Sequence, residues 1–246
     1  MILGVFDSGL GGLTVLKEII KNNSFDKIIY FGDTKRMPYG NKDIDTLYKY
    51  GKDDIEFLLN KGVDKIVVAC GTISSNVLPT IKDKYDTEII GIIDGACLGA
   101  KKATINNKIG VMATSATINT HIFKEKLKDF KVVEVACPKL VPLIESGESV
   151  DDALNEYLSV FKKEEVDTLI LGCTHYPLLY DKIDKYFNGK VRLINSGEVL
   201  SLKLNNGDYK KPKLEFYVSS DVSGFKLKAK KFLNVEELED TRLVDF

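Results

Sequence analysis

Eight short aliphatic runs recur along this chain, at residues 2–6, 27–31, 65–69, 88–91, 109–112, 132–135, 168–171 and 191–194, and they are continuous rather than alternating. A strand that faces water on one side alternates apolar with polar residues, whereas an unbroken run needs cover on both faces. Between the runs lie stretches with helical spacing, among them residues 13–21, 43–59, 74–84, 116–130 and 151–162. Strands and helices in alternation predict buried parallel strands joined by right-handed crossovers.

Two of the runs nearly repeat one another. VDKIVVAC begins at Val63 and VDTLILGC at Val166, 103 positions later, while GVFDSG from Gly4 and GVMATS from Gly110 stand 106 apart. Two anchors at a nearly shared offset predict two similar parallel-sheet α/β domains related by internal duplication, with an active site in the cleft between them. No linker rich in Pro, Gly or Ser parts the halves, so the expected crossings lie near residues 94–95 and 205–207. The first domain is then residues 1–94 plus 208–246, and the second is 95–207. The closing KLEFYVSSDVSGFKLKAKKFL reads as a strand and a helix that return to extend the first domain.

With a net charge of −1, nothing in the 246 residues marks a binder of nucleic acid or of a membrane surface. The one basic run, from Lys226 to Lys231, reads as a solvated helix face. The N-terminus lacks a basic start, a long apolar stretch and a cleavage site, and no run approaches the ~20 apolar residues that cross a bilayer. The expectation is a cytoplasmic protein whose four cysteines are thiols. With no CxxC pair and two histidines, a metal site is not expected.

Ligands of parallel α/β sheets sit beyond the C-terminal ends of the strands. Four features fall there: Asp7-Ser8-Gly9 with Gly11-Gly12, Cys70-Gly71-Thr72, Thr114-Ser115 with Thr117, and Cys173-Thr174-His175. If the two units face one another, each contributes one thiol to a shared site. Chemistry that inverts a carbon centre wants that arrangement, because a proton leaves one face and another arrives on the opposite face. A thiol becomes a usable base near neutral pH when a base or a positive charge lies nearby, so Asp7 is a candidate partner for Cys70 and His175 for Cys173. Blander readings stand beside these. Cys97 and Cys137 read as core thiols, His175 could be a satisfied loop histidine, and DSGLGGL could cap a helix through Asp7 or Ser8, or bind phosphate at its N-terminus.

The motifs GVFDSGLGGLTVLKEI, YFGDTKRMPYGNK, VVACGTISSN, CPKLVPLIESG and LILGCTHYPLL, in that order, resemble the glutamate racemase family, within the cofactor-independent aspartate/glutamate racemases. The resemblance runs over nearly the whole chain. It implies two α/β domains, an active site between them, two cysteines as acid and base, and no cofactor. Carried over by motif, Cys70 exchanges the α-proton of the D-isomer and Cys173 that of the L-isomer. Asp7 assists the first thiol, His175 assists the second, and Glu145 is an acid near the second. Ser8, Pro38, Tyr39, Gly40, Thr72, Thr117 and Thr174 match positions that hold the substrate, a small amino acid, with glutamate expected. The resemblance is compatible with a homodimer.

Two positions depart from the family pattern. Gly71 stands where the family usually has an Asn whose side chain touches the substrate, and Asn195 stands where it often has Asp. Glycine has no amide to offer there, and a polar interaction of that kind is worth on the order of 1–3 kcal/mol if nothing replaces it; a water, Ser74 or Ser75 is the expected replacement. The reading is a glutamate racemase serving peptidoglycan precursor synthesis. Its alternatives are a racemase of another amino acid, with Gly71 reshaping the pocket, and a homologue that binds an amino acid without turnover.

Overall fold

The computed structural model describes residues 1–204, 211–233, 235, 238 and 240–245. The described strands form two parallel sheets. The first contains β1 (Ile2–Asp7), β2 (Lys27–Gly32), β3 (Lys65–Val68) and β4 (Glu88–Gly91), extended by β9 (Lys213–Val218) and β10 (Thr241–Leu243). The second contains β5 (Lys108–Ala113), β6 (Lys131–Ala136), β7 (Thr168–Leu171) and β8 (Arg192–Asn195). The strand order β2-β1-β3-β4 recurs as β6-β5-β7-β8, and β9 and β10 add to the β2 edge alone. The register recurs too. Phe6 pairs with Val68 in the first sheet and Met112 with Leu171 in the second, so Cys70 and Cys173 each follow their paired position by two residues.

Most of the aliphatic runs bury as their pattern requires, and the run 132–135 departs furthest from it. β3 and β7 lie inside their sheets and are buried along nearly their whole length. Residues 132–135, expected to be buried, are half-exposed in β6, because β6 is the edge of its sheet and lacks a neighbour on one side. The helix expected over 74–84 instead starts at Gly71, breaks at Val77 and resumes as Leu78–Ile81 with Pro79 in its first turn, where a missing N–H costs nothing. The helix expected over 116–130 is broken at His121, whose φ of 52° is left-handed.

Residues 94–95, expected between the domains, fall inside the helix Ile92–Ala103, which packs on β7 and β8; the chain crosses between sheets at the end of β4. The other expected crossing, 205–207, lies outside the described residues. Helix Ile92–Ala103 also packs on helix Ser196–Lys203, which in turn lies on helix Leu13–Asn22 of the first sheet. These three helices join Val15, Leu16, Ile93, Ala96 and Leu200 into one apolar cluster that reaches Val5 in the first sheet and Val111 in the second. Leu200 sits in the middle of this shared core, 1% exposed. Leu200→Ala is expected to lower the unfolding free energy by about 2–5 kcal/mol, the usual cost of a cavity in a packed core. Because both sheets share that core, urea unfolding followed by far-UV circular dichroism and by tyrosine fluorescence should still give coincident transitions.

Candidate active site

The C-terminal ends of β1, β3, β5 and β7 converge on one cavity of about 160 Å³. Cys70 and Cys173 both line it, as do Ser8, Pro38, Tyr39, Gly40, Gly71, Thr72, Thr174 and His175 from the sequence-based expectation. Three expected residues are not on the wall. Asp7 is fully buried beneath it, Glu145 stands behind His175, and Thr117 is fully buried. Thr117 acts through its neighbour: its Oγ1 is 3.1 Å from Thr114 Oγ1, which is itself 3.1 Å from Thr72 Oγ1. Ser75 Oγ lies 3.3 Å from Thr117 Oγ1, completing a run of hydroxyls that crosses from one unit to the other. Thr114 and Ser115 are thus the wall residues of that turn, and Asn41, Cys137, Pro138, Val141, Pro142 and Gly172 complete it. Cys137 is buried as expected, with its thiol near the Val135 carbonyl, yet it also forms part of the wall.

The DSGLGGL segment neither caps through its own side chains nor offers a phosphate cradle. Gly12 is the N-cap of helix Leu13–Asn22, and the free amides of Gly9 and Gly12 both donate to Asp7 Oδ2, at 3.1 and 2.9 Å. Those donors are consumed by a carboxylate of the chain itself. The glycines serve close packing instead: a Cβ on Gly11 would lie 2.3 Å from Thr174 Oγ1, and one on Gly12 would lie 2.4 Å from Asp7 Cβ. Thr174 Oγ1 donates to Asp7 Oδ1 at 3.3 Å, so Asp7 ties the first unit to the strand end that carries Cys173.

The two thiols sit in opposite electrostatic settings. Burial, with the Asp7 charge adding to it, pushes the Cys70 thiol well up. Cys173 Sγ stands 3.8 Å from His175 Nδ1, and His175 Nε2 is 2.7 Å from Glu145 Oε1. Burial alone would pull the imidazolium down, but hydrogen bonds to Cys173 and Glu145 outweigh it and carry His175 up to about 10. A cation therefore faces Cys173. Asp7 is raised by burial, partly offset by the His175 charge and by the Gly12 and Gly9 amides.

Gly71 does not leave a vacancy for a missing side chain. A Cβ there would lie 2.6 Å from the backbone carbonyl oxygen of Gly172, closer than any Cβ tolerates. The two serines expected as replacements are engaged elsewhere: Ser74 Oγ donates to the Val68 carbonyl at 3.0 Å, and Ser75 Oγ donates to the Thr72 carbonyl at 3.1 Å. The second departure has a local role, since Asn195 Oδ1 caps helix Ser196–Lys203 by accepting from the Gly197 amide at 3.1 Å. The basic run near the C-terminus lies on helix Val222–Leu233, where Leu227 and Lys228 are exposed and Ala229 is buried.

Two parallel α/β units thus close on one small cavity, and each contributes a thiol to its wall. Residues 35–201 match the family described as Asp/Glu/Hydantoin racemase. The glutamate racemase of Aquifex pyrophilus is 44% identical over 212 residues, 84% of this chain and 83% of its own. A glutamate racemase isoform from Bacillus anthracis superposes with a TM-score of 0.93 at 33% identity, covering 100% of this chain and 97% of that one. The glutamate racemase of Francisella tularensis, solved with D-glutamate, gives 0.87 at 32% identity, covering 99% and 97%. The chain belongs to the Asp/Glu/Hydantoin racemase family. Among the described residues no helix is long and apolar enough to cross a membrane.

The raised His175 pKa has a definite sign. Protonation of His175 stabilises the fold fully below the ordinary histidine value of about 6.5, and this contribution fades as pH climbs through about 10. The His175 ring signals in an NMR titration should report imidazolium at neutral pH, and Glu145→Gln should bring the midpoint down toward the ordinary value. An unshifted midpoint in the variant would remove Glu145 from the account.

Proposed function

We propose that the protein is a glutamate racemase, a cofactor-independent isomerase that interconverts L- and D-glutamate and so supplies the D-isomer for peptidoglycan precursors. The observation that carries this reading is the pairing of Cys70 and Cys173 at matched strand ends on one cavity. In the L-to-D direction Cys173, as thiolate beside the His175 cation, takes the α-proton and becomes S–H. The electron pair left on the α-carbon spreads into the substrate carboxylate. Cys70, held as a thiol by its burial, gives its proton to the opposite face and becomes the thiolate. The reverse reaction runs these steps backward, with Asp7 as the buried carboxylate beside Cys70.

The carbanion-like transition state needs donors aimed at the carboxylate in a water-poor site. Ser8, Thr72 and Thr114 bring hydroxyls to the cavity for this purpose, Thr174 is tied to Asp7, and Pro38, Tyr39, Gly40 and Gly71 line the cavity beside them. Glu145 keeps His175 charged and oriented, and Thr117 holds Thr114. We read the unit that carries Cys70 as ending at β4 and regaining β9 and β10, and the unit that carries Cys173 as beginning with helix Ile92–Ala103. The location is cytoplasmic. A homodimer, compatible with the resemblance, is checked by sedimentation.

Two tests bear on this reading. Cys70→Ser and Cys173→Ser should each abolish racemisation while leaving elimination from one enantiomer only of a substrate analogue with a leaving group; either variant racemising at near wild-type rate defeats the two-thiol mechanism. Gly71→Asn, and Gly71→Ala with it, should lower kcat/KM for glutamate by more than about tenfold, since a displacement of the Gly172 strand end worth ~1.4 kcal/mol is already one decade. An Asn variant as active as the wild type would show that the two strand ends part without cost. A panel of other amino acids followed by α-proton exchange in D₂O settles the substrate.

A further inference from the structure

Beside the cavity, behind Tyr39, lies a cluster of charges that the proton transfers do not use. Arg36 donates from Nη1 to Asp53 Oδ2 and from Nη2 to Asp54 Oδ1, each at 2.7 Å, and from Nε to Asp33 Oδ2. Its guanidinium lies 4.3 Å above the ring of Tyr50, which in turn packs on the Tyr39 ring. Asp33 and Asp54 are both fully buried while Asp53 reaches solvent, so inside the protein one cation faces two buried carboxyl groups and shares its charge with a third at the surface. A buried excess of negative charge on this scale is costly unless a proton is retained.

The hydrogen bonds locate that proton. Asp33 is saturated: Oδ1 accepts from Ser219 Oγ at 2.7 Å, and Oδ2 accepts from Arg36 and from the Tyr39 hydroxyl. Tyr39 has a single hydroxyl proton, and the closer of its two carboxyl contacts assigns it to Asp33. Yet the Tyr39 oxygen is also 3.0 Å from Asp54 Oδ2. That second approach is a hydrogen bond only if Asp54 donates it. Burial, with the nearby Asp33 charge, pushes the Asp54 carboxyl well up, in the same sense.

What the cluster holds matters to the site. Tyr39 and its neighbours Pro38, Gly40 and Asn41 form the cavity wall. The Gly40 carbonyl accepts from the Ala116 amide of the other unit at 3.1 Å, and the Asp33 amide donates to the carbonyl of Asp7 at 3.0 Å. We propose that Asp54 is a neutral carboxylic acid which, with Arg36 and Asp33, clamps the Tyr39 hydroxyl and so positions the substrate-holding wall 38–41 against the second unit. Asp54 and Arg36 are positioning residues: they touch no reacting atom, and their effect reaches the substrate through Tyr39 and Gly40. This rests on the racemase reading only for its kinetic arm.

The test compares Asp54→Asn with Asp54→Leu. An amide reproduces both bonds of a neutral acid, donating to Tyr39 and accepting from Arg36, so Asp54→Asn should keep kcat/KM within about twofold of wild type. Leu keeps the bulk but not the donor, and should raise KM by about tenfold or more with a smaller change in kcat, the scale of a buried hydrogen bond left unmade. Infrared difference spectra at neutral pH should show the carbonyl stretch of a protonated carboxyl in wild type that Asp54→Asn lacks. An Asn variant as damaged as the Leu variant, or an acid band untouched by Asp54→Asn, overturns the proposal. The infrared arm needs no turnover, so it stands even if glutamate is not the substrate.

Discussion

Helix Leu13–Asn22 of the first sheet lies directly on helix Ser196–Lys203 of the second, and the two bury Val15, Leu16 and Leu200 in a core common to both. The seam is also keyed by polar pairs. Asn22 Nδ2 donates to Ser201 Oγ and Asn23 Nδ2 to the Ser201 carbonyl, both at 2.9 Å, while the Thr14 hydroxyl reaches the Thr174 carbonyl at 2.8 Å. Apolar burial supplies the adhesion and is indifferent to small slides; the hydrogen bonds select one alignment. With that alignment fixed, the ends of β3 and β7 meet, and Gly71 and Gly172 come too close for any side chain between them. The gap between the two thiols is thus set by how the helices of the two units pack on one another.

Within that gap the scaffold is repeated but its electrostatics are not. Each thiol follows the same strand of the same four-strand pattern. Cys70 is buried over an anionic neighbour, whereas Cys173 is part-exposed beside an imidazolium that its own hydrogen bond and that of Glu145 sustain. Asp7 connects the two settings, since it influences Cys70 by charge and is bonded to Thr174, the neighbour of Cys173. A backbone nearly duplicated thus supplies two facing groups, and a handful of side chains make them chemically unlike.

Much of this is legible in the amino-acid sequence. The aliphatic runs are set by local pattern, and a strand end is where a parallel sheet exposes function, so Cys70, Cys173, Asp7 and His175 stand out by position alone. Glu145 does not, because it meets His175 across 30 residues of chain, and only the family resemblance points to it. The resemblance singles out Thr117, whereas Thr114 is the residue on the wall; both lie in one short turn, and which hydroxyl faces inward depends on the turn's orientation. The break at Pro79 is visible in the composition, but apolar spacing on either side reads as one helix. The left-handed residue at His121 carries no such mark, and β10 has three residues, too few for any periodicity. The Arg36 cluster draws on two elements and a third strand's end, and no spacing rule brings Asp33, Asp54 and Ser219 together.

The imbalance between the thiols has a limit that the molecule cannot escape. Mirror-image forms of an amino acid have the same free energy in water, so a catalyst that interconverts them can favour neither at the end. Whatever preference the charged His175 confers on the first step for one hand must be returned elsewhere in the cycle. The protein can accept one hand more tightly and release it more slowly, but its efficiency, kcat/KM, has to be equal in the two directions. The unlike surroundings of Cys70 and Cys173 therefore decide how the molecule waits between turnovers, and leave the composition of the mixture it produces untouched.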